Sequence, residues 1–325
     1  MEPLTLPPAE GSVLTRRASE FVGEWLSDSP FVEAHTSGTT GAPKPVRLLK
    51  ADMMASALAT NRFFGIVRES LLLLPLSADY IAGKMQLVRA MAAGCRILCE
   101  EPSNRPFASG LTERATILPV VPSQVASVLD SGLYRHADSI IIGGAPLGHH
   151  LEKRLLEAGA NAYATYGMTE TCSHVALRRL GSSVYKPLPG FTFSTDGRGC
   201  LTVATVGMSF GKLTTNDVVS LRPDGGFEWL GRYDNVINSG GIKIHPEEIE
   251  REIMPLLPAG YHLYITSRPS EKWGEEAVVV TDYPELDING IKTLALAPYK
   301  MPKAVYVRPI RITSSGKVIR ERLLP

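Results

Sequence analysis

Short, wholly apolar runs alternate with segments of helical periodicity through the first two-thirds of the chain. Residues 71–76 (LLLLPL), 96–99, 117–121 (ILPVV) and 139–142 (SIII) read as strands. In 71–76 and 117–121 the lack of polar alternation predicts burial on both faces. Among the strands, residues 83–93 place Met85, Val88 and Ala92 on one helical face, 122–129 open with proline in the first turn, and 150–158 are amphipathic. This alternation predicts an α/β fold with a largely parallel sheet.

From about Phe191 the texture changes to short strands and turns, at 200–206, 218–221 and 227–230, the last following the turn Pro223-Asp224-Gly225-Gly226. A boundary is expected near Gly231-Arg232-Tyr233-Asp234. Beyond it lies an α+β pattern of its own: helices at 246–254 and 288–296, strands at 261–266, 276–281 and 304–307. The pattern predicts a large domain over 1–232 and a small mobile one over 233–325.

Composition narrows this little further. The 325 residues are 44% hydrophobic and 21% charged with a formal net charge of +1. That balance gives no reason to expect nucleic-acid or membrane-surface binding. The apolar runs are too short to span a bilayer, and no charged and apolar leader opens the chain. The 4 cysteines, Cys95, Cys99, Cys172 and Cys200, lack CxxC spacing, which predicts buried thiols in a reducing cytoplasm.

The candidate chemistry starts at Thr36-Ser37-Gly38-Thr39-Thr40-Gly41-Ala42-Pro43-Lys44, after the apolar Phe31-Val32. Free N–H groups, hydroxyls and an ammonium form a cradle for phosphate oxygens, although such a stretch alone also suits a surface linker. Tyr166-Gly167-Met168-Thr169-Glu170 follows a strand expected at 161–165. Glu170 suits Mg²⁺, which takes few carboxylates beside phosphate oxygens. Thr169 suits a phosphate oxygen and Tyr166 a nucleobase; the same residues also suit a capped turn. Thr215-Asn216-Asp217 is expected in a turn, where Asp217 either forms the turn or accepts ribose hydroxyls. Arg232 and Asp234 are either solvated charges or ribose and phosphate contacts. Ser239-Gly240-Gly241-Ile242-Lys243-Ile244 is a glycine turn entering a strand. Thr313-Ser314-Ser315-Gly316-Lys317 is either an exposed tail or a loop that carries a cation into a cleft.

In this order, with Gly143-Gly144-Ala145-Pro146-Leu147 between the first two, the motifs resemble those of the adenylate-forming (ANL) superfamily of acyl- and aryl-CoA synthetases and adenylation domains. The resemblance runs from about Glu33 to Arg322. It implies an adenylate-forming core, truncated at its N-terminus, with the small domain rotating about Asp234. It implies that Thr36, Ser37, Gly38, Thr39, Thr40, Gly41 and Lys44 hold the β- and γ-phosphates of ATP. Gly144, Ala145 and Pro146 would line the adenine pocket with Tyr166 on the ring. Thr169 would contact the α-phosphate and Glu170 the Mg²⁺. Asp217 and Arg232 would bind the ribose, and Lys317 the acid carboxylate and bridging oxygen during adenylation. Gly240 and Gly241 would face coenzyme A.

Within the superfamily, residues 166–178 (YGMTETCSHVALR) and Pro75-Leu76 followed by Tyr80-Ile81-Ala82-Gly83-Lys84 resemble the o-succinylbenzoate–CoA ligases of menaquinone biosynthesis. That resemblance implies recognition of a second, unreacting carboxylate, for which a cation or several donors are needed. Lys84, Arg89, Ser173 and His174 are the candidates, with Lys84, Ser173 and His174 preferred and Tyr80 as an aromatic gate. The pattern departs from the superfamily where Asn216 replaces a common glycine and Arg311 a common proline. The early phosphate loop implies a minimal core or a surface covered in a homodimer. Other readings are a ligase for another aryl or fatty acid, a domain loading a carrier protein, and a nucleotide-binding relic.

Overall fold

The computed structural model describes residues 7–35, 45–312, 318–321 and 323. The chain divides into two compact units. One comprises Met1–Phe193, Val203–Leu213 and Pro223–Gly226, the other Ser194–Thr202, Thr214–Arg222 and Phe227–Pro325.

The first unit runs α1 (Arg16–Leu26), β1 (Phe31–His35), β2 (Pro45–Leu49), α2 (Lys50–Phe64), β3 (Leu71–Leu74), α3 (Ile81–Ala93), β4 (Arg96–Cys99), β5 (Ala115–Val120), α4 (Pro122–Asp130), β6 (Ala137–Ile142), α5 (His149–Glu157), β7 (Ala162–Met168), β8 (Ser173–Arg179) and β9 (Val184–Pro187). Its sheet has the order β9-β8-β7-β6-β5-β3-β4. The pairs β3–β4, β3–β5, β5–β6 and β6–β7 are parallel, and β7–β8 and β8–β9 antiparallel. Two of the parallel strands lack alternating burial: β3 is buried throughout, and β6 buries all but Asp138. Leu71, Leu73, Leu118, Val120, Ile140 and Ile142 form one face of the core with Val125 and Val128 of α4 and Leu155 of α5. The unit is α/β, as the alternation predicts.

The chain continues through β10 (Phe191–Thr195), β11 (Cys200–Thr205), β12 (Lys212–Leu221) and β13 (Phe227–Arg232) to β14 (Ile237–Ser239), β15 (Ile242–Ile244), α6 (Pro246–Ile253), β16 (Leu263–Ser270), β17 (Gly274–Thr281), α7 (Ile288–Lys292) and β18 (Val305–Val307). In the second unit a sheet of order β15-β14-β17-β16, with β18 parallel to β17, carries α6 and α7. Ile249 and Ile253 of α6 and Ile291 of α7 complete its core with Leu263, Ile265, Ala277 and Val279.

Two expectations change. Thr215-Asn216-Asp217 lies within strand β12, not in a turn, because Asp217 pairs across to Arg232 of β13. Helix α7 stops at Lys292, short of Leu296; the Thr293 N–H and hydroxyl both donate to the Gly290 carbonyl, at 3.2 and 2.7 Å, and close its last turn. Helices α1 and α2, unread in the sequence, flank the β1–β2 hairpin. All four cysteines are free and buried, as expected.

Candidate active site

In the first unit, β7 ends at Met168 and the chain reverses through a 3₁₀ turn, Thr169–Thr171, into β8. Gly167 permits the reversal: a Cβ there would sit 2.1 Å from the Ser173 carbonyl oxygen. Cys172 and Ser173 adopt positive φ, 52° and 91°, conformations that cost energy in residues bearing a Cβ. The Thr171 hydroxyl accepts the Met168 N–H at 3.1 Å and lies 2.8 Å from the Ser173 carbonyl oxygen, which pins the turn. Thr169 is thereby buried while Glu170 is exposed.

Beside this turn, β6 exits into Gly143-Gly144-Ala145-Pro146. The Gly143 N–H donates to Val120 O at 3.1 Å, and a Cβ at Gly143 would meet Thr165 Oγ1 at 2.4 Å. Tyr166 meets Tyr185 edge to face, with centroids 5.8 Å apart. The two motifs thus stand at the C-terminal ends of neighbouring parallel strands β6 and β7, the place where open α/β sheets bind ligands.

A buried polar cluster lies behind the turn. Arg89 of α3 is 2% exposed. It donates from Nη2 to Ser173 Oγ at 2.9 Å and from Nη1 to Gln86 Oε1 at 3.2 Å, while its Nε has no partner. Among the described residues no carboxylate pairs with it. Burial lowers its pKa to about 9, so it remains charged at neutral pH. His174 contacts Thr60 Oγ1 through Nε2 at 3.1 Å, and the Thr60 hydroxyl lies 3.2 Å from the Ser56 carbonyl. That arrangement leaves Nε2 as the donor. Burial, and secondarily the Arg89 charge, hold His174 well below its usual pKa.

Ser173 and His174 are therefore gathered with Arg89, but Lys84 is not. Its ammonium points to helix α1, 3.3 Å from Glu24 Oε2 and 4.6 Å above the Phe21 ring. Tyr80 caps the N-terminus of α3 and is 57% exposed. The solvated helix face that Lys84 and Arg89 would otherwise occupy does not exist, since α3 is buried from Gly83 to Met91. The sequence offered Lys84 and Arg89 alike as cations in a largely apolar helical stretch, and only the packing of α3 separates them.

In the second unit, Asp217 and Arg232 are cross-strand partners on β12 and β13. Asp217 Oδ1 accepts from Trp229 Nε1 at 3.1 Å and lies 3.6 Å from Arg232 Nη1. Arg232 Nη2 reaches Asp234 Oδ2 at 3.4 Å, and Asn216 Nδ2 reaches the same oxygen at 3.3 Å. Gly240 and Gly241 form the two-residue turn of the β14–β15 hairpin with φ 59° and 85°, values that a type I′ turn needs.

Thr36, Ser37, Gly38, Thr39, Thr40, Gly41, Lys44 and Lys317 lie outside the described residues. Among the described residues no three His, Cys, Asp or Glu side chains gather as a metal cage. One exposed carboxylate, Glu170, nevertheless fits a Mg²⁺ that takes its other ligands from phosphates and water. Asp217, held from below by Trp229, fits a ribose.

Sheet, glycine exits and charge placement together define an adenylate-forming enzyme. The family model described as AMP-binding enzyme matches residues 10–197, and the chain belongs to that family of AMP-forming ligases. A 2-succinylbenzoate–CoA ligase of Bacillus cereus is 28% identical over 89% of this chain and 68% of its own length. The acyl-CoA synthetase (AMP-forming)/AMP-acid ligase II-like protein of Dyadobacter fermentans is 32% identical, with TM-score 0.65, covering 93% of this chain and 91% of its own. The o-succinylbenzoate CoA synthetase of Bacillus subtilis, solved with the acyl-adenylate intermediate OSB-AMP, is 25% identical with TM-score 0.75, covering 88% and 67%. Among the described residues no helix is long and apolar enough to cross a membrane.

Proposed function

We propose that the chain joins o-succinylbenzoate to coenzyme A through an acyl-adenylate, with ATP as the adenylyl donor, as a step of menaquinone biosynthesis. The observation that carries the substrate is Arg89. A buried guanidinium without a carboxylate is costly, and a bound dicarboxylic acid supplies the missing counter-charge through the carboxylate that does not react. Ser173, already bonded to Arg89, adds a hydroxyl donor, and neutral His174 adds no competing charge. The naming of the Bacillus relatives supports the same acid.

In this reading residues 36–41 and Lys44 hold the β- and γ-phosphates, Gly144, Ala145 and Pro146 the adenine against Tyr166, and Asp217 with Arg232 the ribose. Thr169 donates to the α-phosphate. Glu170 holds Mg²⁺, which when bound offsets phosphate charge. Lys317 meets the reacting carboxylate and the bridging oxygen, stabilising charge as it develops. No general base is needed, because the attacking carboxylate is ionised near neutral pH. The domain of residues 233–325 then turns about Asp234 and brings Gly240 and Gly241 toward coenzyme A. The enzyme is expected in the cytoplasm, as a homodimer, using free coenzyme A.

Pyrophosphate release measured across o-succinylbenzoate, benzoates, fatty acids and a carrier-protein acceptor tests the reading. The expected result is preference for the dicarboxylic acid, abolished in Arg89→Met. Equal turnover of a monocarboxylic fatty acid would overturn the substrate, and no release with any acid would leave a nucleotide-binding protein.

A further inference from the structure

We propose that Gln86 is a positioning residue that sets acid specificity. As a neutral amide it fixes the Arg89 guanidinium without neutralising it, and so leaves that charge for the acid's unreacting carboxylate. The inference deepens the substrate assignment above and rests on it.

Gln86 and Arg89 lie three positions apart on α3, the spacing that puts two side chains on one helical face. Gln86 is fully buried, and its amide is used at both ends. Nε2 donates to the Leu73 carbonyl at 3.0 Å, and Oε1 accepts from Arg89 Nη1 at 3.2 Å. The first bond ties the side chain to β3, which lies between β5 and β4 in the sheet. It also decides which end of the amide meets the guanidinium, because a backbone carbonyl only accepts. On the other side, Ser173 Oγ accepts from Arg89 Nη2 at 2.9 Å. One N–H on each terminal nitrogen is held this way, so the planar fork is fixed against rolling about its stem. Nε is among the donors that remain. The backbone is pinned as well: Asn61 Nδ2 of α2 donates to the Arg89 carbonyl at 2.9 Å.

Charge is what separates an amide from a carboxylate at this position. Glutamate has nearly the shape of glutamine and would put a carboxylate within reach of Arg89. Such a pair is charge-assisted and stronger than the amide bond, and it would cancel the guanidinium's charge before a ligand arrived. Lys84 shows that outcome on the same helix, with Glu24 Oε2 3.3 Å from its ammonium. An apolar side chain at position 86 would instead let the fork turn, and bidentate recognition of a carboxylate depends on its orientation. A glutamine held by Leu73 both orients the fork and leaves it charged.

The test is a discrimination ratio, measured by pyrophosphate release: kcat/KM for o-succinylbenzoate over kcat/KM for benzoylpropionate, the same acid without its ring carboxylate. The ratio does not depend on the fraction of enzyme that is folded, so a loss of stability does not imitate a change in it. Gln86→Met is expected to lower the ratio about tenfold. Gln86→Glu, although closer in shape to the parent, should lower it further, by about 10²-fold, because the new carboxylate competes with the ligand's. In an Arg89→Met background either substitution should change the ratio by less than about twofold, since the two residues act as one unit. Equal losses for both acids in the Gln86 variants would make Gln86 a structural residue and overturn the proposal. A ratio that falls no further in Gln86→Glu than in Gln86→Met would overturn it too. An unchanged ratio in Arg89→Met itself would sink the substrate assignment and the proposal with it. A collapsed ratio in Arg89→Met beside parent ratios in the Gln86 variants would sink the proposal alone.

Discussion

The Arg89 cluster of the first unit and the Asp217–Arg232–Asp234 cluster of the second treat charge in opposite ways. Arg89 is 2% exposed and has no carboxylate partner among the described residues, whereas the Arg232 and Asp234 side chains are 46% and 60% exposed and already paired. Desolvation makes the first cluster unfavourable until an anion arrives, so a ligand's charge has its full effect there. Water screens the second, so its pairs are weak and can be exchanged at little cost. A rigid subsite that selects a substrate wants the former. A junction about which a domain turns wants the latter.

Removing Arg89 should break this contrast most sharply. Arg89→Met is expected to lower kcat/KM for a dicarboxylic acid by about 10²–10³-fold, since a buried charge partner is lost. The same variant should keep or gain thermal stability, because an uncompensated buried charge disappears. Loss of both activity and stability in steady-state assays and melts would show that Arg89 is paired after all.

Gly167→Ala comes next. Its Cβ would lie 2.1 Å from a backbone oxygen, so the turn that presents Glu170 has to move. Pyrophosphate release should fall by about 10–100-fold and stability by about 2–3 kcal/mol. Normal turnover with only a lower melting point would mean that the turn's geometry does not serve the chemistry. For the second unit, Asp217→Asn retains an acceptor for Trp229 but loses the charge, and KM for ATP should rise about tenfold.

How much of this could be read beforehand depended on whether sequence period and burial agreed. β3 and the apolar runs within β5 and β6 were legible because strand segments buried on both faces carry apolar residues without alternation. Helix α2 was not: its buried positions include Lys50, Asp52, Ser56, Thr60 and Asn61, which erase the apolar period. Partners for such residues lie far along the chain, as in Ser56 Oγ to Cys172 O at 2.9 Å and Asn61 Nδ2 to Arg89 O at 2.9 Å. The motif residues were legible as an ordered set, yet their local setting was not, since Asp217 sits in a strand by virtue of its cross-strand arginine. Lys84 and Arg89 could not be ranked from spacing alone, because the carboxylate that occupies Lys84 belongs to α1.

The pH response of the buried cluster is a smaller effect with a definite sign. The fold keeps His174 neutral and well below its ordinary value of 6.5. Below pH 6.5 the unfolded chain therefore binds more protons than the fold, and stability is lost as pH falls. This contribution is fully present above 6.5, and its slope approaches about 1.4 kcal/mol per pH unit for one proton. His174→Gln should flatten urea-unfolding stability between about pH 6.5 and 5 relative to the parent. An unchanged slope would assign the acid sensitivity elsewhere.

The smallest effect is expected at the junction, and its smallness is the point. Asn216 stands where the superfamily pattern has glycine and bonds the carboxylate of Asp234, which Arg232 also reaches. Asn216→Gly removes two exposed contacts, this one and the bond its Oδ1 accepts from Arg198 Nη1 at 3.2 Å, so the melting point should move by less than about 2 °C. Should the small domain turn about Asp234, the lost bond to Asp234 belongs to one of its positions only, and the ratio of acyl-adenylate formation to thioester formation will shift by a factor of about two to three. Measuring the two half-reactions separately in a rapid-quench experiment reads that ratio directly. A shift in neither ratio nor melting point would mean that Asn216 leaves the hinge untouched. A large loss of stability would mean that this region depends on its charge contacts as strongly as the Arg89 cluster does, and would erase the contrast between them.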